Sequence, residues 1–264
     1  MSDQVDLSIS QFVQAWRLMS RGASAYEEEQ DDGLSLIFTG LPIPFFNVGL
    51  PTARGISADR LRSLGDRACA WASTRPVPWL FVVTHDAIED GVDASAVLDS
   101  CDLAPLMPLT GMHAERVGEP GETPGLHLTV PGDDASCSAL VDLNAAAYGM
   151  DLDTSKALLG RSGFWKGHFP VVGLADGAPA STAAVLMVDG IRYVALVATA
   201  PGQQRRGFAD AAMRLALQLA ADVHGEKPTV LHATDAGRPV YERMGYTTIS
   251  RHTAYMPKAF LGGH

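Results

Sequence analysis

The sequence has no long apolar run. Its longest strongly apolar stretches, such as Trp79–Val83 and Tyr193–Ala198, have the length of β-strands, whereas a membrane-spanning helix needs about 18 apolar residues. The first residues, MSDQVDLSIS, include acidic side chains where a secretory signal requires a basic segment followed by an apolar one. We therefore expect a cytoplasmic protein that does not contact a membrane.

Cysteine and positive charge are also scarce. The three cysteines, Cys69, Cys101 and Cys137, are far apart and show no Cys-x-x-Cys or Cys/His spacing, so we expect neither a disulfide framework nor a metal site. Residues 1–121 contain no lysine and carry 17 acidic residues against 8 arginines, and the formal net charge of the chain is −10. An acidic surface repels a phosphate backbone, so a nucleic acid is not expected as a partner.

The length and the loop signals predict two domains. The chain has 264 residues, and a single core usually stops growing near about 250 residues. Glycine and proline interrupt any periodicity at Val117–Gly125, where the charge balance also changes. We place the boundary there, with one domain over residues 1–120 and a second over residues 121–264. The acidic cluster Glu27–Asp32 is interpreted as a solvated loop.

Residues 121–264 show a clear succession of strand and helix patterns. Three β-like runs separated by the turns Asp176-Gly177 and Asp189-Gly190 predict an antiparallel meander. A helix follows, because apolar residues recur on one of its faces. The residues of that face are Phe208, Ala212, Leu215, Leu219 and Val223. The predicted order of elements is β-α-α-β-β-β-α-β-α-β.

The junction between the third meander strand and this helix carries the most chemical information. It reads Ala198-Thr199-Ala200-Pro201-Gly202-Gln203-Gln204-Arg205-Arg206-Gly207-Phe208-Ala209. A helix N-terminus presents unpaired N–H groups and the positive end of the helix dipole, and small residues such as Gly207 let a ligand approach the backbone. The junction is therefore either a phosphate site or an ordinary Pro-Gly helix start.

The segment Gln204–Ala209 resembles the Gln/Arg-x-x-Gly-x-Gly/Ala acyl-CoA signature of the GNAT (Gcn5-related) N-acetyltransferases. Tyr241, Gly245 and Tyr246 keep the spacing of the family's last motif, Asn-x-x-Ala-x-x-x-Tyr-x-x-x-Gly-Phe, although its asparagine and alanine positions are not clearly kept. The resemblance covers residues 125–257, where the predicted element order is also that of the family.

The resemblance implies acetyl-CoA as the cosubstrate and no metal. In such proteins the strand before the signature splays from its neighbour and pairs with pantetheine, the pyrophosphate lies on N–H groups of the signature, and the adenosine end lies near its arginines. The cofactor-binding residues implied here are Val197, Ala198, Thr199, Gln204, Arg205, Arg206, Gly207, Phe208 and Ala209.

Acetyl transfer to an amine needs a donor for the developing oxyanion and an acid for the leaving thiolate. A strand amide at Ala198 or Thr199 is expected to serve the oxyanion. Tyr241 matches the family's acid, since a phenol with a pKa of about 10 stays protonated at neutral pH; packing of a short helix is its alternative role. The base is left open between a water chain and the side chains of Glu115, His127, His168, His232 and Asp235.

Residues 1–120 repeat the outline of this fold without its phosphate signature. Leu34–Phe38 and Phe45–Leu50 are expected to pair as strands, Ser57 to cap a helix, and Trp79–Val83 to form a further strand. The acidic residues that follow would repel a pyrophosphate, and the pair His85-Asp86 lacks a recognisable nucleophile. The fold class expected is α/β, of the α+β type, with two tandem GNAT-like domains. Each has a mixed, mostly antiparallel sheet flanked by helices, and the first is degenerate.

The leading hypothesis is an acetyl-CoA-dependent N-acetyltransferase that acts by direct transfer on a primary amine, in a small molecule, a protein N-terminus or a lysine. The alternative is a non-catalytic acyl-CoA-binding sensor whose first half contacts a protein partner. A homodimer is compatible with the sequence, which does not identify the amine acceptor.

Overall fold

The computed structural model describes residues 2–119 and 121–261. The helices are α1 (Ser2–Ser20), α2 (Ala58–Ala72), α3 (Ala94–Asp99), α4 (Asp134–Tyr148), α5 (Leu152–Leu159), α6 (Phe208–His224) and α7 (Arg238–Arg243). The strands are β1 (Glu27–Asp31), β2 (Leu34–Phe38), β3 (Asn47–Pro51), β4 (Leu80–Thr84), β5 (Leu103–Ala114), β6 (His127–Thr129), β7 (Phe169–Ala175), β8 (Ala178–Val188), β9 (Ile191–Thr199), β10 (Thr229–Ala233) and β11 (Thr247–Pro257). No helix in these described ranges is long and apolar enough to cross a membrane.

Helix starts follow from capping side chains. Ser57 caps α2, because its hydroxyl accepts a hydrogen bond from the Arg60 N–H at 3.3 Å. Asp133 caps α4 in a capping box with Ser136. Each cap satisfies N–H groups that the first helical turn leaves unpaired. The cap predicted at Ser57 is confirmed.

The chain forms two compact units made of interleaved stretches. Unit 1 comprises Met1–Met112, His232–Arg238 and Thr248–His264, and unit 2 comprises His113–Leu231 and Pro239–Thr247. Strand β11 therefore belongs mainly to unit 1, although its residues lie in the second half of the chain. The division into one domain of residues 1–120 and a second of residues 121–264 stays a prediction.

Unit 1 has the strand order β1-β2-β3-β4-β11-β5. Strands β1, β2 and β3 form an antiparallel meander, and β3 pairs with β4 in parallel. Strand β11 runs antiparallel to β4, with His252 opposite Thr84. The last strand of the chain is thus enclosed between two strands that precede it by more than a hundred residues.

Helices cover both faces of the unit 1 sheet. Leu64 of α2 and Leu98 of α3 share a core with Leu36 of β2. Phe12 of α1 belongs to a second core, which includes Ile37 of β2. Because successive strand residues point to opposite faces, α2 and α3 cover one face and α1 covers the other.

A buried polar network attaches α1 to the centre of unit 1. The Ser8 hydroxyl lies 2.6 Å from the Ser250 hydroxyl and 2.9 Å from His232 Nε2. His252 Nε2 lies 2.7 Å from the Ser250 hydroxyl, and its Nδ1 lies 3.0 Å from the Thr84 hydroxyl. We call these five side chains the Ser8 network. Its members lie in α1, β4 and β11 and at His232, which belongs to unit 1, so the network joins α1 to two strands of unit 1.

The Ser8 network leaves no room for a side chain at Gly111 of β5. A Cβ at this position would lie 2.1 Å from Ser250 Oγ and 2.4 Å from Ser8 Oγ. Burial lowers the pKa of His252 to about 3 and holds the pKa of His232 well below its ordinary value. Both imidazoles are therefore neutral at pH 7, which suits groups that hydrogen-bond to hydroxyls in a dry interior.

Unit 2 has the strand order β10-β9-β8-β7-β6. The pairs β6–β7, β7–β8 and β8–β9 are antiparallel, and β9 pairs with β10 in parallel. Helix α4 packs against β8 and β9, and α6 packs against β7, β8 and β9. The mixed, mostly antiparallel sheet flanked by helices and the element order predicted for residues 121–264 are confirmed.

Four features differ from the sequence prediction. The acidic cluster is the exposed strand β1, not a loop, because its backbone pairs with β2 while Arg17 binds Glu28 at 2.7 Å and Arg67 binds Asp31 at 3.2 Å. Helix α1 and strand β5 were not predicted. The buried face of α6 is also rotated from the predicted one, which leaves Val223 exposed.

Candidate active site

Strand β9 has an open edge in unit 2. Its parallel pairing with β10 consists of Arg192 with Thr229 and Tyr193 with Val230. Beyond Tyr193, β9 continues to Thr199 without a further paired position on that side among the described residues. Val197, Ala198 and Thr199, the residues predicted to pair with pantetheine, lie in this continuation, where backbone groups can accept an additional strand-like ligand.

A β-bulge interrupts β9 next to this edge. Ala198 is in register with Thr182 of β8 and Ala195 with Ala184, so Leu196 and Val197 together oppose the single residue between Thr182 and Ala184. Leu196 has φ 53°, in the left-handed region. A non-glycine residue there costs of the order of 1–3 kcal/mol, which surrounding contacts must offset.

Side chains of α4 and β8 hold the bulge. The Thr182 hydroxyl donates a hydrogen bond to the Leu196 carbonyl at 2.9 Å, and the Asn144 amide donates to the same carbonyl at 3.1 Å. The Tyr148 hydroxyl donates to the Val197 carbonyl at 3.1 Å. The sequence analysis did not identify these side chains. Asn144 gives the one signal that could have been used, since it is a polar residue among buried apolar positions of α4.

Helix α6 begins without a side-chain cap. Its N-cap residue is Gly207, with φ 79°, which provides no side chain to bind the first N–H groups. A Cβ at Gly207 would meet no atom within 4 Å, so the space in front of the helix is open. An open start of this kind combines free N–H donors with the positive end of the helix dipole, and it is suited to an anion.

The two arginines of the signature, Arg205 and Arg206, directly precede the start of α6. Gln204, Arg205, Arg206 and Gly207 are exposed. The Arg206 guanidinium hydrogen-bonds to Gln203 and lies 4.5 Å from the centre of the Phe208 ring. Arg206 is therefore held beside the helix start, where its charge adds to the positive potential of the N–H groups.

Tyr241 is buried in α7, with 9% of its surface exposed. Burial raises the pKa of its phenol far above the ordinary value, and Tyr148 and Tyr246 add to the shift. The Tyr246 hydroxyl lies 2.9 Å from the Thr229 hydroxyl, whereas the Tyr241 hydroxyl has no hydrogen-bond partner among the described residues. Tyr241 therefore retains a proton at neutral pH and has its donor available.

The residues considered as bases either bind other groups or are exposed. His168 Nδ1 accepts a hydrogen bond from the Met187 N–H at 3.3 Å, and burial lowers its pKa. His232 belongs to the Ser8 network. His127 is exposed on β6, and Glu115 and Asp235 are exposed. None of these contacts assigns a base.

Among the residues that the structure describes, unit 1 lacks both features of the unit 2 site. Strands β3 and β4 pair in parallel, for example Val48 with Leu80, as β9 pairs with β10 in unit 2. Beyond this pairing, hydrogen bonds of the main chain continue the contact between the two segments. The Ile56 N–H donates to Ala87 O at 3.1 Å, and the Ile56 carbonyl accepts from the Glu89 N–H at 3.1 Å. Ser57 caps the helix that follows. The strand edge and the helix start are therefore occupied by the chain itself.

The pair His85-Asp86 has structural contacts in unit 1. His85 Nε2 lies 2.7 Å from the Thr253 hydroxyl. Asp86 accepts hydrogen bonds from the Arg251 backbone at 2.6 Å and from its guanidinium at 2.9 Å, and these bonds lower the pKa of the carboxyl against the effect of burial. The carboxylate of Asp86 thus binds Arg251 of β11.

Comparison with known proteins shows a family match for part of the chain and a shared fold for the whole. A family profile described as "Acetyltransferase (GNAT) domain" matches residues 165–255. No curated protein matches the chain significantly. A GCN5-related N-acetyltransferase from Kribbella flavida is similar in structure, with a TM-score of 0.71, 18% identity, and coverage of 97% of this chain and 96% of that one.

Two further structures share the fold. A GCN5-related N-acetyltransferase from Sphaerobacter thermophilus has a TM-score of 0.60 and 13% identity, over 86% of this chain and 81% of that one. A tandem GNAT protein from the clavulanic acid biosynthesis pathway has a TM-score of 0.58 and 12% identity, over 97% of this chain and 94% of that one. The resemblance predicted from the sequence is confirmed: residues 165–255 match the GNAT acetyltransferase domain, and the chain as a whole has the fold of GNAT proteins.

Proposed function

We propose that this protein is an acetyl-CoA-dependent N-acetyltransferase that transfers the acetyl group directly to a primary amine. The observation that carries the proposal is the coincidence, within unit 2, of the open edge of β9 with the uncapped start of α6. A strand edge and an anion site at the two ends of one short loop suit a ligand that has an amide-containing arm and a pyrophosphate.

The residues present fit acetyl-CoA. Backbone groups of Val197, Ala198 and Thr199 would pair with the pantetheine arm, and the N–H groups of Gln204–Ala209 would hold the pyrophosphate. Arg205 and Arg206 would lie toward the adenosine end. Bound acetyl-CoA supplies an acetyl group activated as a thioester.

Tyr241 would act as the proton donor to the leaving sulfur. Its raised pKa keeps the proton on the phenol oxygen at neutral pH, and the nearby Tyr148 hydroxyl is bound to the β9 bulge. An acid at this place is needed only as the carbon–sulfur bond breaks, so its loss should affect turnover more than binding.

Substitution of Gly207 tests the binding site. The G207E substitution would place a carboxylate where a pyrophosphate would bind, so it should weaken acetyl-CoA binding by roughly 100-fold or more in titration calorimetry. Gly225, at the other end of α6, provides a matched control, because it also has positive φ and open space around its Cβ position. G225E should bind acetyl-CoA as the wild type does; equal affinity in both variants would remove the assignment.

A panel of amines tests the activity. The purified protein is incubated with acetyl-CoA and small amines, peptide N-termini or lysine peptides, and the release of free thiol is followed. Transfer to at least one amine class supports the enzyme. Binding of acetyl-CoA with neither transfer nor thioester hydrolysis would instead favour the acyl-CoA sensor.

A further inference from the structure

Two buried side chains of unit 2 fix one peptide of the β9 bulge. Thr182 is fully buried and Asn144 is 1% exposed, and both donate hydrogen bonds to the Leu196 carbonyl. The Asn144 amide also donates to Leu140 O at 2.9 Å, while its Oδ1 is buried without a partner among the described residues. A buried acceptor left unpaired is unfavourable, so Asn144 contributes through its donors.

The direction of this carbonyl determines the direction of the next N–H group. A trans peptide is planar, with its C=O and N–H pointing to opposite sides. Because Thr182 and Asn144 hold the Leu196 carbonyl, the Val197 N–H points away from both of them. Ala198 and Thr199 lie beyond the bulge, in register with Thr182 and Ser181, where successive residues of β9 point their N–H groups alternately toward β8 and toward the open edge.

The next carbonyl is also occupied. The Tyr148 hydroxyl binds the Val197 carbonyl, and Tyr148 lies one helical turn after Asn144 on the same face of α4. Hydrogen-bond donors of the chain therefore cover both carbonyl oxygens of the bulge. An uncovered carbonyl oxygen would repel negative charge that develops on a nearby thioester oxygen.

We propose that Thr182 and Asn144 are positioning residues for acetyl transfer, which hold the Leu196–Val197 peptide so that the Val197 N–H donates to the thioester oxygen. This inference rests on the proposed function. It transfers the role of oxyanion donor from Ala198 or Thr199, where the sequence analysis placed it, to Val197. The side chains of Thr182 and Asn144 themselves do not touch the reacting atoms.

Thr182 allows a matched pair of substitutions. T182V has nearly the same shape and loses the hydroxyl, whereas T182S keeps the hydroxyl. We expect kcat for the best amine of the panel to fall about 10-fold in T182V, the scale expected when a catalytic donor is misplaced but not removed. The Kd for acetyl-CoA should stay within about twofold of wild type, and T182S should restore kcat.

A second control separates positioning from stability. Ser155 is buried in α5, and its hydroxyl binds Asp151 O at 2.7 Å, away from β9. S155A should lower the melting temperature without lowering kcat. If T182V and T182S have the same kcat, or if T182V lowers affinity and kcat together, the positioning role is wrong while the proposed function stands.

Crystals of the wild type and T182V with acetyl-CoA give a readout besides activity. The Val197 nitrogen should lie within hydrogen-bond distance of the thioester oxygen in the wild type and move from it in T182V. A different donor on that oxygen would overturn the inference alone. Failure of wild-type protein to bind acetyl-CoA would overturn the proposed function, and the inference with it.

Discussion

Unit 1 should lose stability in mild acid through one buried histidine. The pKa of His252 falls from an ordinary value of 6.5 to about 3 in the folded protein, mainly because the side chain is buried. Between these two values the unfolded chain binds a proton that the folded chain excludes. Stability therefore rises with pH in this window and is lost as the pH falls through it.

The size of the effect follows from the two pKa values. With 6.5 in the unfolded state and about 3 in the folded state, lowering the pH from 7 to 5 should reduce the free energy of unfolding by about 2 kcal/mol through His252 alone. The pKa of His232 is also lowered, so this residue adds a further loss of stability in acid to that of His252. Hydroxyls of the Ser8 network surround both rings, and Asp86 only partly opposes the shift of His252.

Urea unfolding at pH 7 and pH 5 measures this loss. Tryptophan fluorescence reports mainly on unit 1, because Trp16, Trp71 and Trp79 lie in it and the fourth tryptophan, Trp165, lies in unit 2. Between pH 7 and pH 5, the free energy of unfolding should fall by about 2 kcal/mol less in H252Q than in the wild type. H127Q removes an exposed imidazole from unit 2 and serves as the control. Equal losses in the wild type and H252Q would refute the reasoning.

Three further predictions concern the proposed site and the Ser8 network. Y241F keeps the ring and removes one donor, so turnover should fall by roughly 10- to 1000-fold with little change in the acetyl-CoA Kd; normal turnover in a folded variant would eliminate the acid role. Calorimetry should give one acetyl-CoA per chain, because Ile56 and Ser57 close the corresponding edge and helix start in unit 1; a stoichiometry of two would contradict this. Alanine in place of Gly111 should destabilise unit 1 by about 1–3 kcal/mol, since its Cβ would displace two hydroxyls of the Ser8 network; an unchanged urea midpoint would show that the network can move aside.

The sequence predicted elements whose patterns are local. The meander turns, the long helix and the signature before it depend on residues close together in the chain, and the structure has these elements where they were expected. Strand β1 was missed because all its side chains are exposed, so it shows no apolar alternation. Strand β5 contains Pro105 and Pro108, which are read as loop signals.

The support of the candidate site depends on contacts between distant residues. The hydrogen bond from Asn144 to the Leu196 carbonyl joins positions 52 residues apart. A left-handed leucine has no local sequence signal, since leucine disfavours that conformation and adopts it only where other contacts compensate. The loop before α6 could therefore be located from the sequence, while the bulge and the side chains that hold it could not.

The position of β11 has a consequence for the order of synthesis. Domains usually fold from the N-terminus as the chain emerges from the ribosome. Unit 1 cannot follow this order, because the place between β4 and β5 stays empty until residues 247–257 have emerged. By then the residues of unit 2 have already been made. Although unit 1 contains residues from the beginning of this sequence, its sheet is among the last parts to be completed.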